Sequence, residues 1–202
     1  KHCIFDGLRN VSSHGWQLTG CINFYNAPVK VHHTLIKNNH SEDALNIIRS
    51  WFELDNVTIS ETQSDAFDGD FVNGSIRNSF FGNLGNDGID VSGSNVEIEN
   101  VKIVGAGDKG LSGGEASYMT IKNIEIQDCE IAIAGKDQSE MIIEGAFLKN
   151  NKLGFTAFQK KPEFGFAHIT ADKVDLENNA ADFLIETNSS LKLNGKMVKT
   201  SS

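Results

Sequence analysis

Acidic residues recur in this sequence at a fixed interval. Asp43, Asp65 and Asp87 stand 22 residues apart, Asp68 and Asp90 keep the same interval, and Asp70 lies two residues past Asp68. Lys109 takes the next place in the first series, and Lys136 falls in the repeat after it, with Asp108, Glu115 and Asp137 beside them. If the interval is one turn of a stacked structure, neighbouring carboxylates lie about 5 Å apart. Their repulsion is then about 1 kcal/mol in water and several times that in a partly dehydrated groove. Calcium would relieve it, because that ion gathers about 6–8 oxygens of Asp, Asn and backbone carbonyls. Lysines could relieve it directly. The chemistry open to such a set is abstraction of the proton α to a uronate carboxylate. A cation neutralises the carboxylate and the developing enolate charge, and a lysine of lowered pKa takes the proton. On this expectation Asp65, Asp68, Asp70, Asp87 and Asp90 hold the metal and Lys109 and Lys136 are catalytic. Asp108, Glu115, Asp137 and Phe158 contact substrate.

The same residues admit plainer roles. An Asp before Ala or Gly at a bend caps nearby amides, and outward Asp and Lys discourage lateral strand pairing. A carboxylate pair for glycoside hydrolysis can also be drawn from Asp65, Asp68, Asp87 and Asp90, one turn apart. Other combinations carry less. His14, His32, His33 and His40 match no metal-ligand spacing, and Ser92 and Ser112 have no nearby histidine to activate them. The glycines at 105–107 and 110–114 lack the context of a phosphate-binding loop.

What must position these residues is a repeat. Leu45, Phe67, Ile89, Leu111, Ile133 and Phe155 follow one another at 22-residue intervals. Before each stands a small residue: Ala44, Ala66, Gly88, Gly110, Ala132 and Gly154. Asn56, Asn78 and Asn100 keep the same period, Asn123 follows at 23, and each precedes an alternating apolar run such as Val57-Thr58-Ile59. His2 and His33 take the equivalent place earlier in the chain. A unit this short cannot bury its apolar side alone, so the units must stack. Like residues then form ladders. The Leu/Phe/Ile column points inward, the small column marks a close approach, and the Asn column sits at a bend that tolerates left-handed geometry. The period predicts seven repeats, Ala27–Ser50, Trp51–Asn73, Gly74–Ser94, Asn95–Ser117, Tyr118–Ser139, Glu140–Gly165 and Phe166–Ser190, with partial ones at each end. The 3.6-residue periodicity of helical repeats is missing. The run Phe155–Phe166 is longer, basic and aromatic, and is expected to pack over the stack as a local cap.

Composition agrees. The chain has 202 residues, 20 asparagines, 19 glycines and 2 prolines, a mixture suited to short strands and tight turns. Its 27 acidic against 18 basic residues argue against a nucleic-acid binder. No apolar run approaches the roughly 18 residues of a membrane helix. Cys3, Cys21 and Cys129 have no zinc or disulfide spacing and read as small buried residues. The chain starts at Lys1 directly in a strand-like run and is expected to be one domain, residues 1–202, excised from a longer secreted protein with flanking domains.

The repeat over Ala27–Ser190 resembles the right-handed parallel β-helix, the pectate-lyase-like superfold, and the Asp- and Gly-rich runs such as Gly85–Ser94 look like exported bacterial repeat proteins. The resemblance implies an all-β solenoid of about eight coils. It also implies an extracellular or cell-surface protein that degrades, modifies or binds polysaccharides. Asp87-Gly88-Ile89-Asp90 and Ile133-Ala134-Gly135-Lys136 are similar to the acidic turn and the Lys-bearing turn of some β-helix pectate lyases. There the Asp cluster binds calcium and the Lys removes the proton. The tryptophan often found in that acidic turn is Ile89 here, and Arg49 and Arg77 are the candidates for its arginine partner. The implied activity is a calcium-assisted lyase or epimerase on acidic polysaccharide or another glycan. The competing class is a noncatalytic stalk or adhesion module.

Overall fold

The computed structural model describes residues 2–200, and every long element among them is a strand. No helix among them is long and apolar enough to cross a membrane. Eight short strands form one parallel sheet: Gly20–Tyr25, Asp43–Ile48, Asp65–Asp70, Ile89–Ser92, Lys109–Gly114, Ile131–Lys136, Leu153–Phe158 and Ala181–Ile185. The intervening segments form a second sheet of longer strands. Its rungs run from Cys3–Asp6 through Val29–Asn39, Trp51–Thr62, the pair Asn73–Arg77 and Phe80–Leu84, Asn95–Ala106, Tyr118–Gln127, Glu140–Lys149 and His168–Glu177 to Ser190–Leu193. Each expected repeat therefore contributes one rung to each sheet. The chain is a β-helix of about eight turns, and its register is the 22-residue register of the sequence. Leu45 pairs with Phe67, Phe67 with Ile89, Ile89 with Leu111, Leu111 with Ile133 and Ile133 with Phe155.

Bends recur in columns because the residues at them recur. His33, Asn56, Asn78, Asn100, Asn123, Gly145, Lys173 and Asn194 all have φ between 47° and 84°, and they fold each long strand in two. Asparagine suits the place because its short amide can bond locally in a left-handed conformation that costs other side chains about 1–2 kcal/mol. Asn123 Nδ2 donates to Asn100 Oδ1 at 3.2 Å and Asn100 Nδ2 to Asn78 Oδ1 at 3.3 Å, so the ladder also links coils. A second left-handed column joins long to short strands through Asn38, Glu61, Asn83, Gly105, Asp128, Asn150 and Asn178. A third follows the short strands through Asn26, Arg49, Phe71, Gly93, Glu115 and Asp137. Buried hydroxyls satisfy backbone amides beside that third bend. Ser50 Oγ accepts from Ala27 N, Ser94 Oγ from Val72 N, Ser117 Oγ from Ser94 N and Ser189 Oγ from Ala167 N.

The interior is one continuous stack. Leu45, Phe67, Ile89, Leu111, Ile133 and Phe155 are fully buried, and each contributes about 1.5–3 kcal/mol by that burial. The small column is small for want of room: a Cβ on Gly88 would lie 2.5 Å from Gly110 O.

Two expectations are corrected. Only Cys129 is buried, its thiol pushed up to about 11 by burial; Cys3 is exposed and Cys21 intermediate. The segment after Phe158 does not cap the stack. It folds back along the flank, where Lys160 N and Lys161 N both donate to Asp137 Oδ1 at 2.6 Å. The C-terminal end of the long-strand sheet closes instead with a hairpin in which Lys192 pairs with Met197.

Candidate functional site

Alternation along a strand sends every second side chain of the short sheet outward. Two outward columns result on the strands themselves, and another stands before them, across the small residues Ala44, Ala66, Gly88 and Gly110. That first column reads Asp43, Asp65, Asp87, Lys109, Ile131; the second Asn46, Asp68, Asp90, Ser112, Ala134; the third Ile48, Asp70, Ser92, Gly114, Lys136, Phe158. The five expected metal-binding aspartates, Asp65, Asp68, Asp70, Asp87 and Asp90, thus occupy two adjacent rungs. Lys109 and Lys136 follow on the next two.

The first column is mainly architectural. Asp65 Oδ1 accepts from Asp87 N at 2.9 Å and from Asn86 Nδ2, and Asp87 Oδ1 accepts from Lys109 N at 2.8 Å. Each carboxylate caps the amide of the next coil. Lys109 Nζ is shared between Asp87, at 3.3 Å, and Asp108. Burial favours loss of its proton, but the hydrogen bond to Asp108 and the charge of Asp87 outweigh burial and raise its pKa. The pKa of Lys109 is thus raised, where a proton-abstracting base would need it lowered. Asp87 is pushed up to about 6, chiefly by burial, with the charges of Asp90 and Asp65 adding to it against Lys109.

The second column is different. Asp68 and Asp90 are register partners one rung apart. Burial and then the charges of Asp70, Asp43, Asp90 and Asp65 push Asp68 up to about 8. Asn46 Nδ2 donates to Asp68 Oδ2 and to Asp43 Oδ2, each at 2.9 Å. Lys136 reaches back two coils, over Gly114, to place Nζ 3.4 Å from Asp90 Oδ1. A Cβ on Gly114 would sit 3.3 Å from Lys136 Cε, so the glycine leaves room for that arm. The result is a carboxyl of raised pKa next to a second one, Asp90, that Lys136 contacts. Asn46 and Ser112 flank the pair, nearly wholly buried, and Asn46 Oδ1 and Ser112 Oγ have no hydrogen-bond partner. The sequence reading passed over both as site residues, although each is 22 residues from an aspartate in the ladder.

The other candidates separate. Asp70 stands in the third column, raised chiefly by burial and then by Glu115 and Asp90. Phe158 is the register partner of Lys136 at the far end of that column. Glu115 pairs with Lys161 of the folded-back segment, which lowers its pKa despite burial. Asp137 is buried, and its Oδ1 accepts from two backbone amides of that segment, so it anchors a loop. Among the described residues no three His, Cys, Asp or Glu side chains come together as ligands of one metal ion.

The sequence profile described as "Right handed beta helix region" matches residues 43–196. Among solved structures, the chain is similar to the catalytic domain of a GH87 alpha-1,3-glucanase variant in complex with tetrasaccharides, with 11% identity and a TM-score of 0.36 over 84% of this chain and 49% of that one. It is also similar to the catalytic domain of the GH87 alpha-1,3-glucanase in complex with nigerose, with 10% identity and a TM-score of 0.31 over 84% of this chain and 55% of that one. The chain thus spans about half the length of each. No curated protein matches it.

Proposed function

The chain belongs to the right-handed beta helix family, and from that premise we propose that it is a carbohydrate-active β-helix that binds a glycan along the outer face of its short-strand sheet. The observation that carries this reading is the Asp68–Asp90 pair. Cleavage of a glycosidic bond needs one carboxyl that keeps its proton, to protonate the leaving oxygen, and one ionised carboxylate on the other side of the sugar carbon. Retaining enzymes set the two about 5–5.5 Å apart, and one rung of a parallel sheet is about 4.8 Å. Asp68, with its raised pKa, suits the acid. Asp90, against Lys136, suits the carboxylate. Lys136 then acts as a positioning cation. Proton abstraction from a uronate draws less support from Lys109, whose pKa is raised by Asp108 and Asp87.

A noncatalytic stalk is the second reading. Asp65, Asp87 and Asp137 favour it, since each is spent on backbone amides. Calcium on this face is a separate proposal, and its fit is poor: two of the five aspartates are already paired with lysines and no three converge.

One experiment separates these readings. The protein is incubated with neutral and uronate polysaccharides, with calcium or with chelator, and reducing ends and unsaturated uronates are followed. Bond hydrolysis is expected to release reducing ends without unsaturated products and without need of calcium. Asp68→Asn and Asp90→Asn should each slow it by about 10²-fold or more. Unsaturated products that require calcium would restore the lyase reading. No release from any polymer leaves the stalk.

A further inference from the structure

We propose a second glycan site, on the outer face of the long-strand sheet, suited to a neutral oligosaccharide. It is independent of the Asp68–Asp90 reading, since it lies on the other sheet and shares no residue with that pair. A cavity of about 280 Å³ opens there, with Trp51 at one end and Asn73, Ser75, Arg77, Asn95 and Glu97 around it. A second of about 220 Å³ continues it through Arg77 and Glu97 toward Thr120 and Lys122. Together they form a trough along the helix axis.

Its residues are placed by the ladder. Trp51, Asn73, Asn95 and Tyr118 are successive register partners on one outward column. Trp51 is 43% exposed and Tyr118 38%, and three rungs separate them, about 14 Å. Trp51 thus stands at one end of the trough, and Tyr118 continues its column beyond Asn73 and Asn95. Trp51 faces Lys30 Nζ at 5.2 Å from its ring centroid, and Lys30 does not line the cavity. An indole held this way offers a flat apolar surface with a polar edge, which matches the C–H face of a pyranose.

The asparagines are informative by contrast with the bend ladder. Asn78, Asn100 and Asn123 spend their amides on one another and on Asp55. Asn73 and Asn95 are one rung apart, exposed, and their amides have no intramolecular partner among the described residues. Each presents a donor pair and an acceptor, the complement of neighbouring sugar hydroxyls. Nothing in the bend geometry requires them, since both lie within strands.

Charge narrows the ligand class. Glu53 is held by Lys30 Nζ at 3.2 Å and His32 Nε2 at 2.6 Å. Arg77 spans Glu97 at 2.7 Å and Glu99 at 3.6 Å, and donates to Ser75 Oγ at 2.7 Å. Acids and bases are matched around the trough, so it presents no field that would select a uronate or an amino sugar. The hydroxyl-rich, uncharged oligosaccharide is what these walls complement.

The test is a fluorescence titration of the intact chain carrying Trp16→Phe, so that Trp51 is the sole indole. The probes are cellotetraose, laminaritetraose, mannotetraose and xylotetraose, with tetragalacturonate as the charged comparison. A saturable change with at least one neutral probe is expected, with affinity about tenfold weaker in Asn73→Ala/Asn95→Ala. Asp68→Asn should bind as well as the parent, which keeps this site distinct from the short-strand face. Calorimetry should show one binding event fewer in Trp51→Ala than in the parent, with circular dichroism showing that the variant keeps the parent's fold. The proposal is overturned by no saturable change with any neutral probe, by equal binding of tetragalacturonate, by a Trp51→Ala isotherm that loses no binding event, by undiminished affinity in the double asparagine variant, or by loss of the Trp51 fluorescence change in Asp68→Asn.

Discussion

At the scale of single residues, one carboxyl concentrates the electrostatics of the short-strand face. Asp68 lies among Asp43, Asp65, Asp70 and Asp90, and its pKa of about 8 is the result of burial first and those charges second. A carboxyl whose folded pKa exceeds its unfolded one binds more protons folded than unfolded. Its contribution to stability is therefore complete below about pH 4 and is lost as pH rises toward about 8. Asp68→Asn removes the charge but keeps an oxygen to accept from Asn46 Nδ2. The variant is expected to be more stable than the parent at pH 8, by about 1–3 kcal/mol, and indistinguishable from it at pH 4. Thermal melts at the two pH values measure this, and equal shifts at both would show that folding does not raise the pKa of Asp68. The five aspartates were legible in the sequence as a set. Their division into amide caps and a proton-holding pair was not, because it depends on which oxygens face backbone amides in the next coil.

At the scale of elements, the bend columns decide the shape. Asn100 has φ 54° and bonds the asparagines of both neighbouring coils. Asn100→Ala should destabilise by about 1–2 kcal/mol, from left-handed strain and lost bonds. Asn100→Gly should cost less than Asn100→Ala, because glycine accepts the dihedral. Urea titrations rank the two, and the reverse order would mean that the amide bonds, not the backbone conformation, hold the bend. This ladder was visible in the sequence as a period of asparagines. The serine ladder is not legible in the same way, although Ser94 and Ser117 keep nearly the same interval, because serine is common in turns and its spacing stands out only once the amide partners are known. The segment after Phe158 was read as a cap on its aromatic and basic composition, but Asp137 and Glu115 draw it along the flank.

At the scale of the whole molecule, a solenoid is a chain of nearest-neighbour contacts, and its ends have one neighbour fewer. Phe67, Ile89, Leu111 and Ile133 are fully buried, whereas Phe183 and Leu184 on the last short strand are 41% and 53% exposed and Ile4 on the first long-sheet strand is 69% exposed. Hydrogen exchange should therefore be slowest on rungs 67–133 and fastest on Cys3–Asp6 and Ala181–Ile185. Uniform protection from end to end would show that the stack opens only as a single unit.

The sequence by itself determined the repeat, the inward column, the asparagine bends and the face on which the aspartates stand, because in a parallel in-register stack the interval between residues is the interval between rungs. Tertiary structure alone decided what could not follow from one period. Lys136 crosses two coils to meet Asp90, Lys109 is shared between Asp87 and Asp108, and Trp51 ends a trough on the other sheet. Those relations join different columns and different coils, and they depend on side-chain reach, burial and the path of the backbone between ladders.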